Sequence, residues 1–198
     1  MKIALKEWNA TIEALGQGQI IALWRKGGID DSESLNQFES FQIETTRFVL
    51  FPTFTHQSQE KIKKDFWPLN TQTRPNSDNQ ITVKYWAELE QALTPNSLEE
   101  VLSISGELAN TKEHLISSWN RSPHQTGKIL LIRVYELTNP ILITNSPKYG
   151  GCKSWIELSV DIPKIGSKPV LSFRDFQSKA RLIKSLLEQT QKKERIIA

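Results

Sequence analysis

The stretch GKILLIRVYEL, residues Gly127–Leu137, is the strongest strand signal in the sequence and decides the fold class. It is a short, almost continuously apolar run rich in β-branched residues, which predicts a buried strand. Asn139 and Pro140 then bend the chain into a second apolar run, ILIT. Ile132 and Val134 lie on one face and Leu131 and Tyr135 on the other, so we predict a central strand rather than an edge strand.

Further strand signals lie on both sides of this segment. Gln19–Trp24 is a short apolar run bounded by glycines, and RFVLF at Arg47–Phe51 is another, with a partner strand predicted at about Phe38–Ile43. From Ile81 to Leu89 apolar residues alternate at period two, which predicts a strand with one buried face. That alternation places Trp86 on the opposite face.

Helices are predicted between and after these strands. Ala4–Leu15 carries apolar residues at the 3-4-3 spacing of one helical face. Asn96 or Ser97 can cap a helix through Leu102, and Asn110 or Thr111 can cap another that ends near Trp119. In SFRDFQSKARLIKSLLEQ the apolar residues again follow helical spacing, with Ser172 as the cap.

The order of these elements predicts the fold class. Strands and helices do not alternate regularly, so we predict an α+β fold with a curved or barrel-like, mainly antiparallel sheet and flanking helices. We expect a single domain over residues 1–198, with a flexible surface loop at 68–80, where PLNTQTRPNSDNQ is almost free of apolar residues. The common nucleotide-binding loops, G-x-G-x-x-G and G-x-x-x-x-G-K-[ST], are absent from the sequence.

The composition of the 198 residues is that of an ordinary globular protein. No apolar run approaches the length of about 18 residues that a membrane span needs, and Glu7 and Glu13 interrupt the N-terminal segment, so we expect a cytoplasmic protein. Cys152 is the only cysteine, and with three scattered histidines it forms no zinc-binding spacing. We therefore expect no metal and no cofactor.

Charge is distributed unevenly along the chain, whose net charge is +3. Residues 148–198 hold 11 Lys or Arg and 5 Asp or Glu, a balance of +6, which leaves −3 for residues 1–147. A basic C-terminal quarter can attract phosphate. The alternative is the ordinary solvated face of a long helix, and both interpretations stay open.

Six segments stand out in order along the chain: LKEW (Leu5–Trp8), ALWRKGGI (Ala22–Ile29), FVLFPTFTHQ (Phe48–Gln57), KYWAEL (Lys84–Leu89), IRVYEL (Ile132–Leu137) and YGGCKSWIEL (Tyr149–Leu158). In this order they resemble the family called DUF1802, an uncharacterised family common in cyanobacteria. The resemblance runs to Leu158 and into the last helix. It implies no established activity, only a suggested association with restriction-modification systems and hence a partner protein from such a system.

A second, more distant resemblance concerns the fold alone. The strand order and the paired strands KYWAEL and IRVYEL are similar to the PUA, ASCH and EVE barrel modules. That group binds RNA or modified bases. The resemblance implies a PUA/ASCH-like barrel, but a fold by itself does not establish a function.

The segment RKGG is the first candidate binding site. Arg25 and Lys26 stand at a predicted strand end beside Gly27 and Gly28. Because glycine has no Cβ, backbone N–H groups there can approach a phosphate or carboxylate closely. The alternative is a hairpin end whose cations face water.

The segment FPTFTHQ places His56 and Gln57 just beyond a buried strand. Two side chains with both donors and acceptors at that position can read a base edge or position a water molecule. The alternative is a helix cap at Thr55 followed by a histidine without a functional role.

Arg133 is the only charged residue in the middle of the deciding strand. It shares a face with Leu131 and Tyr135, so we predict a mostly buried guanidinium that needs an anionic or carbonyl partner. Glu88 or Glu157 can supply that partner in a purely structural pair.

The segment YGGCKSW is the densest in reactive and stacking groups. Tyr149 and Trp155 can stack a base while Lys153 meets a phosphate, as in single-strand or flipped-base recognition. Cys152 completes this candidate site. A packed turn with a buried cysteine is the structural alternative.

Signals for catalysis are weaker. Cys152 could act as a nucleophile with His56 or His124 as its base, but no signature places them together. A metal-dependent nuclease needs converging acidic residues and a lysine, and IELSVDIPK is the nearest approach to that pattern. We therefore predict a binding module for nucleic acid, either DNA or RNA. An enzyme acting on nucleic acid or a nucleotide, or a structural or protein-interaction domain, is the alternative.

Overall fold

The computed structural model describes residues 1–26, 40–70, 75–76, 78–121, 126–151 and 153–197. Three short 3₁₀ turns accompany the main elements. The strands are β1 (Ile3–Trp8), β2 (Ala22–Arg25), β3 (Arg47–Thr53), β4 (Gln80–Leu93), β5 (Lys128–Thr144), β6 (Trp155–Glu157) and β7 (Lys168–Pro169). The helices are α1 (Asn9–Gly16), α2 (Leu98–Ser103), α3 (Lys112–Arg121) and α4 (Phe173–Ile197).

All seven of these strands belong to one sheet of order β2-β5-β4-β3-β1-β6, and β7 also pairs with β5. Among the described strands, β1 and β3 pair in parallel and the other pairs are antiparallel. The sheet curls into a half-barrel with helices packed on it, which confirms the predicted α+β fold with a curved, mainly antiparallel sheet. The deciding stretch lies in β5, which is central as predicted because it has neighbours on both sides.

Three apolar clusters show how the sheet is buried. One contains residues of β1 to β5 together with α1, including Leu5 of β1 and Leu23 of β2. β1 and β2 are not neighbours in the sheet, so their residues can pack in one cluster only if the sheet curls. The face of the sheet that carries this cluster is therefore the concave face. The other two clusters lie on the convex face, one under α2, α3 and α4 and the other around Trp86 and Tyr149.

A bulge in β4 corrects the predicted alternation in that strand. The pairing of β4 with β5 shifts register between Val83 and Tyr85. Val83 therefore packs in the same cluster as Trp86, whereas Tyr85 packs in the concave cluster. The prediction of one unbroken buried face was wrong, because an extra residue in a strand moves every later side chain to the other face.

The first helix begins later than predicted. Residues 3–8 form β1, and only Asn9–Gly16 is helical. Leu5 and Trp8 fit a helical spacing, but pairing with β3 and β6 competes with the helix and prevails. The partner strand predicted at Phe38–Ile43 is absent from its described part, residues 40–43, and residues 38 and 39 lie outside the described chain.

The other predicted helices are confirmed with their caps. Ser97 Oγ accepts the backbone N–H of Glu100 at the start of α2, and Thr111 Oγ1 accepts that of His114 at the start of α3. Ser172 caps α4 in the same way. No helix within the described ranges is long and apolar enough to cross a membrane. Of the predicted loop at 68–80, residues 71–74 and 77 lie outside the described chain.

Candidate functional site

A buried ion pair lies at one end of the concave face. Arg25, the last residue of β2, places Nη1 3.0 Å from Oε2 of Glu7, next to the end of β1. The side chains are only 15% and 8% exposed. Burial raises the pKa of Glu7, while Arg25 and the backbone N–H of Trp8, 2.7 Å from Oε1, oppose that rise by stabilising the carboxylate.

Aromatic rings surround this ion pair. The guanidinium of Arg25 lies 5.3 Å from the ring centroid of Phe41, and Phe41 stacks on Trp155 at 5.9 Å. Trp155 also meets Phe48 edge to face at 5.2 Å and donates from Nε1 to the carbonyl of Gln42 at 2.8 Å. We call Glu7, Arg25, Phe41 and Trp155 the mouth cluster. It combines a planar cation with aromatic surface, and Trp155 remains partly exposed.

The segment that contains His56 and Gln57 packs against the end of β1. Gln57 Oε1 accepts the backbone N–H of Ala10 at 3.0 Å, so it satisfies a donor in the first turn of α1. Trp8 Nε1 donates to the carbonyl of Thr55. His56 is exposed, has a positive φ of 60°, and its carbonyl accepts from Lys61. Gln57 thus serves the fold here.

The segment YGGCKSW is also attached to β1. Lys6 Nζ donates to the carbonyl of Gly151 at 2.7 Å and to that of Gly150 at 3.3 Å. Lys153, two residues further on, is exposed. Tyr149 lies in a different environment: its ring is 3% exposed, and its hydroxyl bonds Ser159 at 2.7 Å on the convex side. Cys152 lies outside the described residues.

Lys26 follows Arg25 but points to another element. Its ammonium donates to the carbonyl of Trp119 near the end of α3 and lies 5.3 Å from the Trp119 ring centroid. Burial lowers the pKa of Lys26, and the nearby charge of Arg121 lowers it further. Gly27 and Gly28 lie outside the described residues, as does His124.

Arg133 lies on the convex face of the sheet, where Glu88 is its register partner on β4. The structural pair expected with Glu88 or Glu157 is not formed among the described residues. Glu88 Oε1 lies 2.7 Å from Nε of Arg47, and Glu88 Oε2 accepts the Tyr135 hydroxyl at 2.9 Å. Arg133 was expected to be mostly buried and paired. It is partly buried, and no described residue accepts a hydrogen bond from its buried Nε.

Aromatic rings accompany Arg133 as well. Its guanidinium carbon lies 5.6 Å from the Tyr135 ring centroid and 5.7 Å from that of Phe173. Tyr135 in turn stacks on Trp86 at 4.2 Å with an interplanar angle of 8°. We call Arg47, Glu88, Arg133, Tyr135 and Phe173 the outer patch.

The structure thus divides the predicted site residues. Arg25 and Trp155 meet in the mouth cluster through Phe41, whereas Lys26, Tyr149 and Arg133 have other surroundings. Sequence reasoning missed Glu7, because a helix was predicted there. If residues 3–8 had been predicted as a strand, Glu7 would have been placed on the same face as the apolar Leu5. A carboxylate on the buried face would have marked Glu7 as a candidate site residue. In the part of the chain that the structure describes, no three His, Cys, Asp or Glu residues group as metal ligands.

Comparison with known proteins adds a family but no activity. The model of the family DUF1802, described as a domain of unknown function, matches residues 4–181. No curated protein matches the chain. Among solved structures, the chain is similar to a crystal structure of a ZmASCH mutant protein from Zymomonas mobilis. That similarity has 11% identity, covers 91% of this chain and 94% of the other, and gives a TM-score of 0.45.

Proposed function

The chain belongs to the DUF1802 family, whose description gives no activity, and we propose that it is a binding module for single-stranded nucleic acid. One observation carries the proposal: in the mouth cluster a guanidinium lies over one aromatic ring, and that ring stacks on a second, partly exposed one. Stacking on an aromatic ring next to a cation is the usual way in which proteins hold an unpaired base.

The roles of the residues follow from their contacts. An unpaired base stacks on Trp155, and Arg25 donates to an acceptor on that base or its phosphate. Among the described contacts of Arg25, only Nη1 has a hydrogen-bond partner, Glu7, so other donors of the guanidinium stay available. Glu7 holds the guanidinium in place. The exposed Lys153 meets the next phosphate.

Binding of labelled 12-nucleotide single strands of RNA and DNA, and of a duplex, tests the proposal by fluorescence anisotropy over a salt series. We expect Trp155→Leu to weaken single-strand binding roughly 5- to 150-fold at fixed salt. Lys153→Ala should reduce the slope of log K against log salt by about 0.7, because one phosphate contact is lost. Lys112→Ala, an exposed lysine of α3, is the matched control and should bind like the wild type.

Thermal unfolding of each variant separates a binding defect from a folding defect, since Trp155 also contacts Phe41 and Phe48. Dissociation constants weaker than about 10⁻⁴ M for every ligand at low salt would be below the usual non-specific range and would end the proposal.

A further inference from the structure

Charge on the convex face of the sheet is unbalanced. Arg47, Glu88 and Arg133 are register partners across β3, β4 and β5, so one carboxylate stands between two guanidinium groups. That carboxylate is fully used, because one oxygen faces Arg47 and the other accepts the Tyr135 hydroxyl. These three residues therefore carry a net positive charge, and within the described ranges the Nε donor of Arg133 has no acceptor.

The donors of Arg133 are held rather than free to move. Its guanidinium carbon lies 5.6 Å from the ring centroid of Tyr135 and 5.7 Å from that of Phe173. Among the described residues, none accepts a hydrogen bond from its buried Nε.

Phe173 gives this cation an accessible aromatic surface. It is the first residue of α4 and is 63% exposed, although most phenylalanine side chains are buried. Lys164 adds another cation nearby, with Nζ 5.2 Å from the ring centroid of Trp86, which stacks on Tyr135. The exposed ring of Phe173, the planar guanidinium of Arg133 and the positive charge of Lys164 thus occur together on this face.

We propose that the outer patch is a second site for single-stranded nucleic acid, which holds one nucleotide with its base on Phe173 and its phosphate on Arg133. A base in a duplex is covered by its neighbours, so the exposed ring favours an unpaired strand. An anionic membrane surface is the competing partner, because Ile165 is 92% exposed beside Lys164. The planar, unsatisfied guanidinium against an exposed ring favours a nucleotide. This site goes beyond the proposed function, because its binding does not require the mouth cluster.

Four variants of the full chain test the inference in the anisotropy assay over a salt series. Phe173→Leu keeps an apolar side chain but removes the ring, and Arg133→Met keeps the stem but removes the donors. Arg195→Met is the matched control for charge. Arg195 lies 22 residues along α4 from Phe173, which is about 33 Å at 1.5 Å per residue. Trp155→Leu reports on the mouth cluster separately, and thermal unfolding confirms that each variant is folded.

We expect Phe173→Leu to weaken single-strand binding roughly 5- to 150-fold with an unchanged salt slope. Arg133→Met should reduce the salt slope by about 0.7, and Arg195→Met should leave it unchanged. If Phe173→Leu and Arg133→Met bind like the wild type while Trp155→Leu is weakened, the second site is refuted and the proposed function stands. The reverse pattern supports the second site and refutes the mouth cluster.

Vesicles with and without phosphatidylserine decide between the two kinds of partner. In one outcome the wild type binds only the anionic vesicles and no single strand, and Phe173→Leu loses that binding. This outcome would overturn the inference in favour of a membrane surface. Absence of binding to both strands and vesicles would overturn it as well.

Discussion

Arg25 Nη1 and Glu7 Oε2 lie 3.0 Å apart, although their strands β2 and β1 are separated by three other strands in the sheet. The contact is possible because the sheet curls until its two sides face each other. Both groups are largely buried, so each depends on the other for its charge to be tolerated. This ion pair joins the two sides of the half-barrel where the proposed base would bind.

Replacing one partner of this ion pair should destabilise the fold more than replacing both. Arg25→Met leaves a buried carboxylate without its cation, and we expect a loss of about 3–5 kcal/mol in the free energy of unfolding at pH 7. The double variant Glu7→Gln, Arg25→Met should recover part of that loss, because the amide needs no cation. Urea unfolding of the two variants and of Glu7→Gln measures the coupling. Additive effects would contradict the buried pairing.

His114 should stay neutral far below the usual pKa of histidine. Burial, together with the nearby charges of Lys61 and Arg121, lowers its pKa to about 4. The ring lies 5.2 Å from that of Trp8. NMR titration of the imidazole should show no change between pH 8 and about 5, and protonation near pH 4.

The sign of the resulting pH effect follows from that shift. The unfolded chain takes up a proton near pH 6.5 and the folded chain only near pH 4, so acidification through this interval favours unfolding. Stability from this group is present above pH 6.5 and is lost as the pH falls towards about 4. His114→Phe should be less sensitive to pH in that interval. An imidazole that titrates near 6.5 in the folded protein would contradict the prediction.

The parts of the fold that sequence could predict are those decided by local patterns. The apolar run in β5 and the capping residues Ser97, Thr111 and Ser172 each act within a few residues, and the structure confirms them. Residues 3–8 show the limit, because their spacing fits a helix and only pairing with β3 and β6 decides for a strand.

The candidate site was less predictable for the same reason. Arg25 and Trp155 could be singled out by residue type, but their meeting depends on how far the sheet curls. Glu88 and Glu157 were both expected as possible partners of Arg133. Strand pairing places Glu88 beside both Arg47 and Arg133 without saying which guanidinium it binds, and Glu88 binds Arg47. Competition between equivalent partners is settled by side-chain conformation, which the sequence does not display.

Gly127 packs against Trp24, and Gly106, which has open space around it, is its matched control. A Cβ on Gly127 would lie 1.9 Å from the Trp24 ring. That ring stacks on Trp119, and its Nε1 donates a hydrogen bond to Ser118 Oγ, so it has little room to move. We expect Gly127→Ala to cost roughly 1–3 kcal/mol or more. Gly106→Ala meets no atom within 4 Å and should be nearly neutral. Thermal unfolding measures both, and equal stability of the two variants would refute the close approach.

Removal of the carboxylate of the outer patch should strengthen binding of single-stranded nucleic acid. Glu88 neutralises one of two arginines on this face, so Glu88→Gln leaves Arg47 and Arg133 both uncompensated. One additional phosphate contact should steepen the slope of log K against log salt by about 0.7 and raise affinity at low salt. Glu157→Gln, at an exposed residue of β6, removes the same charge elsewhere and serves as the control. If both glutamine variants raise affinity equally, binding of the nucleic acid depends only on the net charge of the protein. Glu88 would then not weaken binding at a defined site.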